Sequence, residues 1–116
     1  MAGGLSLAEQ AVDCFGKENQ IKKAVEEFNE AGAALMKLLD ITGEGFSDAN
    51  IEKAIEEIAD AEICLDQLHK IFDSHAIAKI KWQKEGRLFD TICRVRNERA
   101  GERDRVFYPC ETARLQ

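Results

Sequence analysis

The stretch Ile21-Lys22-Lys23-Ala24-Val25-Glu26-Glu27-Phe28-Asn29-Glu30-Ala31-Gly32-Ala33-Ala34-Leu35-Met36-Lys37-Leu38-Leu39 decides the fold. Its apolar residues recur every three or four positions, the period of an amphipathic helix and not of a strand. The helix is predicted from near Glu18 to about Asp40, where Ile41-Thr42-Gly43-Glu44-Gly45 breaks it. Upstream, Ser6 is an N-cap for a short helix through Leu7, Ala8, Ala11, Val12 and Phe15 that stops at Gly16. Downstream, Ser47 and Asp48 cap a helix with apolar residues from Ile51 to Phe72. Asp73-Ser74 breaks the chain again, and a fourth helix is expected from His75 to about Arg99. Neither an internal repeat nor a low-complexity segment is read along the chain. Long amphipathic helices with short connections predict an all-α fold: an antiparallel bundle of three long helices plus a short N-terminal one. Residues 1–99 form the expected domain, and 100–116, with Gly101 and Pro109, an irregular tail.

Composition narrows the class. The 116 residues carry 16 Lys and Arg against 22 Asp and Glu, a net charge of −6, which excludes the basic footprint of a nucleic-acid-coating protein. No apolar run reaches the roughly 18 residues of a membrane span, and the N-terminus lacks the pattern of a signal peptide, so a cytoplasmic protein is expected. Cys14, Cys64, Cys93 and Cys110 are too scattered for a zinc site and read as small hydrophobes. The charge is segregated. Glu18 to Asp66 holds 13 acids and four bases, whereas Lys70 to Arg105 holds ten bases and six acids.

On a helical wheel at about 100° per residue, Ile21, Val25, Phe28, Gly32, Leu35 and Leu39 form one apolar stripe, widened by Ala31, Ala34 and Leu38. Glu27 falls between Ala34 and Leu38, inside the apolar sector, and Glu30 borders it. In the next helix Ile58, Ala61, Leu65, Leu68 and Phe72 define the expected buried stripe. Glu57 sits between Cys64 and Leu68, and Asp60 at the edge beside Ile71. Each helix thus turns an i, i+3 acid pair inward, in registers that can face one another. At an effective dielectric near 20 each close pair repels by about 3 kcal/mol, and four inward carboxylates cost on the order of 10 kcal/mol. Raised pKa values or cations must compensate. An all-oxygen ligand set selects a hard ion, Mg²⁺ with Mn²⁺ as substitute.

Glu26-Glu27-Phe28-Asn29-Glu30 followed by Glu57-Ile58-Ala59-Asp60 resembles the EExxE…ExxD signature of the all-α nucleoside triphosphate pyrophosphohydrolases, which include the MazG proteins and the dimeric dUTPases. The resemblance spans roughly residues 14 to 96, with Ala31-Gly32 where a leucine commonly follows the first motif. It implies hydrolysis of a nucleoside triphosphate to the monophosphate and pyrophosphate, with Glu27, Glu30, Glu57 and Asp60 as Mg²⁺ ligands at the catalytic centre. It also implies a homodimer or homotetramer that completes the bundle.

The fourth helix supplies cations. Ile77, Ile80, Leu88, Thr91 and Val95 lie within about 40° of Lys84, and Arg87 borders that stripe; Lys84 and Arg87 are assigned to the substrate phosphates. Gln20 and Lys23, one to two turns before the first motif, are candidate substrate contacts. Trp82 and Phe89 fall on the opposite face, suited to packing or a subunit interface. The reading from another functional class is a helical assembly or adaptor protein that keeps the fold without turnover.

Overall fold

A computed structural model describes residues 4–39 and 45–101. They form four helices: α1 Leu7–Phe15, α2 Lys17–Leu38, α3 Asp48–Ile71 and α4 Ser74–Gly101. Among the described residues there is no strand, and no helix is long and apolar enough to cross a membrane. The expected break at 41–45 lies mostly outside the described residues, as do Arg103, Arg105, Phe107, Tyr108 and Cys110 of the tail.

Local chemistry explains the helix ends. Ser6 accepts a hydrogen bond from Glu9 N while the Glu9 carboxylate accepts one from Ser6 N, a complete capping box. Gly16 joins α1 to α2 at φ 90°, a backbone conformation that glycine adopts without steric cost. Ser47 caps α3 by accepting from Asn50 N. The Asn50 amide nitrogen in turn donates to the carbonyl of Gly45, a second positive-φ glycine.

The chain divides into two units, Met1–Asp73 and Ser74–Gln116. In the first, α2 packs along α3, and α1 rests against both. The α2–α3 pair is antiparallel: Gln20 near the start of α2 meets Gln67 near the end of α3. The described part of the second unit is α4. There Cys93 and Ala100 are buried, whereas Ile80, Trp82, Leu88 and Ile92 are exposed.

The seam between α2 and α3 differs from the stripes expected above. Buried on α2 are Gln20, Ala24, Glu27 and Ala34; on α3, Asn50, Ala54, Glu57, Cys64 and Gln67. The larger residues Val25 and Leu35 of α2, Ile58 and Leu65 of α3, and Leu39 and Phe72 just past the ends of these helices are each more than 40 % exposed. The wheel located the most apolar arc of each helix, but small side chains allow the closest approach of two backbones. Alanine and cysteine therefore line the contact. The acids lie in the seam itself, flanked by alanines.

Candidate metal centre

Halfway along the seam, Glu27 and Glu57 are 7 % and 3 % exposed. Carboxylates at that depth are rare unless paired or metal-bound. Each is half paired. Lys23 Nζ lies 2.9 Å from Glu27 Oε1, and Lys53 Nζ lies 2.8 Å from Glu57 Oε1, both one turn upstream on the same helix. The other oxygen of each acid, Oε2, is buried and has no hydrogen-bond partner among the described residues.

One carboxylate oxygen from each of Glu27, Glu57 and Asp60 lies within 4.8 Å of the others. Asp60 is exposed and forms the open side of the cluster. Glu30 is also exposed. The negative charges of Glu27 and then Glu57 hold its carboxyl above the usual carboxylate range; desolvation and a contact with the Glu57 carboxylate act the same way, against the opposing charge of Lys23. Cys64 is buried one turn beyond Asp60. Burial pushes its thiol pKa up, and the charges of Glu27 and Asp60 add to the shift.

The donor set fits a hard divalent cation. It is all oxygen, it converges, and its two buried members each hold an oxygen that has no hydrogen-bond partner among the described residues. A buried acceptor left unpaired costs about 1–3 kcal/mol, more when charged. A cation held by Glu27, Glu57 and Asp60 would offset that cost.

Of the other candidate residues, Gln20 is buried and donates through Nε2 to Gln67 Oε1 at 2.5 Å, so its amide is committed to holding the hairpin. Lys23 has a second environment. A groove of about 520 Å³, lined by Phe15, Asn19, Gln20, Lys22, Lys23 and Glu26, opens beside it. Lys84 and Arg87 are exposed residues of α4, in the second unit.

Sequence reasoning missed Lys53, and the signal for it was in plain view. Lys23-Ala24-Val25-Glu26-Glu27-Phe28-Asn29-Glu30-Ala31 recurs as Lys53-Ala54-Ile55-Glu56-Glu57-Ile58-Ala59-Asp60-Ala61. The chain therefore does contain an internal repeat, displaced by 30 residues. Burial repeats with it: Gln20 and Asn50, Ala24 and Ala54, Glu27 and Glu57, and Ala34 and Cys64 are all buried. The two Lys–Glu ion pairs are equivalent under the same displacement. The hairpin is built from two copies of one helical half-site facing each other in opposite directions.

No family model, curated protein or solved structure matches the chain.

Proposed function

We propose that the chain is a divalent-metal-dependent hydrolase that converts a nucleoside triphosphate to the monophosphate and pyrophosphate, a housecleaning role in the nucleotide pool. The observation that carries this reading is the convergence of Glu27, Glu57 and Asp60, with two buried carboxylate oxygens left unpartnered. The EExxE…ExxD resemblance supplies the reaction class. Glu27, Glu30, Glu57 and Asp60 would hold Mg²⁺, or Mn²⁺ in its place. Bound there, the ion would neutralise phosphate oxygens and lower the pKa of a water. The protein's part is to fix the carboxylates rigidly in the seam, and one of them accepts the proton of the attacking water. Lys84 and Arg87 are proposed phosphate contacts from α4. The exposed apolar side chains of α2 and α3, Val25, Leu35, Ile55 and Leu65 among them, support assembly into a homodimer or homotetramer.

The test is pyrophosphate release from a panel of ribo- and deoxyribonucleoside triphosphates with Mg²⁺. Turnover that is lost in Glu57→Gln supports the reading, and a fully active Glu57→Gln removes the site assignment. The same exposed apolar face also favours a non-catalytic assembly protein, the second reading. That reading stands if the chain is oligomeric and no triphosphate is hydrolysed.

A further inference from the structure

We propose that Lys23 and Lys53 are an equivalent pair of phosphate ligands, each anchored to a buried glutamate, and that with them in place the carboxylate cluster holds a single divalent cation. The assignment rests on the triphosphate-hydrolase reading above and names the groups that would bind the polyphosphate.

Three observations carry it. First, each ammonium has three N–H donors. Lys23 and Lys53 are 55 % and 59 % exposed at the side chain, whereas the glutamates that anchor them are 10 % and 4 % exposed. A buried carboxylate holds one side of each ammonium while the outer side faces solvent beside the cluster. Lysine so placed is a fixed point charge suited to a phosphate oxygen.

Second, the division of labour within each carboxylate is the same on both helices. Oε1 takes the lysine and Oε2 is left buried and unpartnered. The lysines therefore need not leave for a cation to bind. They hold each glutamate in an orientation that reserves one oxygen.

Third, the charges come to a definite remainder. Glu27, Glu57 and Asp60, with Glu30 in contact with the Glu57 carboxylate, contribute four negative charges when ionised, and Lys23 and Lys53 return two positive ones. The remaining two match one divalent ion. The repeat makes the two ammoniums equivalent, so they flank the cluster from α2 and from α3 and leave the Asp60 side open.

A structural salt bridge and a phosphate ligand respond differently when lysine is removed. The full-length protein and its Lys23→Met, Lys53→Met and double variants would be titrated calorimetrically, first with Mn²⁺ and then with inorganic tripolyphosphate at saturating Mn²⁺. The wild type should take up one Mn²⁺ per chain. Each lysine removed should tighten Mn²⁺ binding by about fivefold, because a nearby positive charge is gone. It should also weaken tripolyphosphate by about tenfold or more, because a charge-assisted contact is gone. Lys53→Arg should restore most of the tripolyphosphate affinity. Opposite movement of the two affinities, similar at both positions, supports the proposal.

Variants that lose Mn²⁺ affinity and tripolyphosphate affinity together would overturn it in favour of a structural role. So would unchanged tripolyphosphate binding, or two Mn²⁺ per wild-type chain. A wild type that binds Mn²⁺ and tripolyphosphate as expected but hydrolyses no triphosphate ends the catalytic reading alone and leaves the lysine assignment standing. A wild type that binds no Mn²⁺ ends both.

Discussion

Lys53 holds one oxygen of the Glu57 carboxylate at 2.8 Å and leaves the other buried without a partner. The folded protein thus carries an unmet demand for positive charge at the least accessible acid among the described residues. Several measurable properties depend on that demand.

Divalent cations should stabilise the fold. Ligand in hundredfold excess over its Kd adds about 2.7 kcal/mol. For a chain of 116 residues that corresponds to a rise in Tm of about 10 °C. Melting in chelator and in Mn²⁺ measures it, and Asp60→Asn should shrink the difference without altering the melt in chelator by more than about 0.5 kcal/mol, as befits an exposed side chain.

The raised pKa of Glu30 sets a pH dependence with a definite sign. Ionisation costs the folded state more than the unfolded one. The stability linked to this carboxyl is therefore full below its ordinary value of 4.5 and is lost as pH rises through the raised value. In chelator, Glu30→Gln should be more stable than wild type at pH 7, and the gap should close on acidification towards pH 4. Thermal melts of both proteins across that range test the sign; a gap that widens on acidification contradicts it.

The buried amide pair should behave as a coupled unit. Replacing Gln67 alone with leucine strands the Gln20 amide in the seam and should cost about 1–3 kcal/mol, whereas the Gln20→Leu, Gln67→Leu double variant should recover most of it. Urea unfolding of the four proteins in the cycle gives the coupling.

Thiol reactivity should separate two cysteines. Cys14 is exposed, while Cys64 is buried with its thiol pKa raised by that burial and by the charges of Glu27 and Asp60. At pH 8 an alkylating reagent should label Cys14 rapidly and Cys64 only on unfolding, which mass mapping over time would resolve.

Overpacking the seam should cost more than trimming the outside. Ala54→Leu places extra methyl groups where the helices meet, and a loss of about 1–3 kcal/mol is expected together with weakened Mn²⁺ binding. Ile55→Ala, one position along and 61 % exposed, should leave the stability of the single chain within about 0.5 kcal/mol.

The helix ends were legible because they are settled by neighbours in sequence: Ser6 with Glu9, Gly16 at its positive φ, and Ser47 with Asn50. The inward position of Glu27 and Glu57 was legible as well, since an acid within an apolar arc is conspicuous. The buried face itself was not. Val25, Leu35, Ile58 and Leu65 dominate any measure of hydrophobicity, yet the helices meet along Ala24, Ala34, Ala54 and Cys64. How closely two backbones approach is decided between helices, and a single wheel carries no record of it. Lys53 escaped for a related reason. The charge pattern points to Lys84 and Arg87 on the basic fourth helix and the flank of the first motif to Lys23, whereas Lys53 stands a turn before its acid on α3, in a segment whose overall charge is strongly negative.

The Gln20–Gln67 bond gains a role from the repeat that α2 and α3 share around their Lys–Glu pairs. Two helices that share such a repeat along the seam can slide by a turn, or exchange with the equivalent helix of another chain, at small cost. The repeat breaks at this bond. Counting 30 residues along, Gln20 corresponds to Asn50, which bonds instead to Gly45, and Gln67 corresponds to Lys37, which is exposed. A buried polar contact that only one arrangement can satisfy penalises every other arrangement, as a lone asparagine does within a coiled coil. The amide pair is thus the hairpin's alignment key, placed at the end far from the connecting loop, where slippage would otherwise be least restrained.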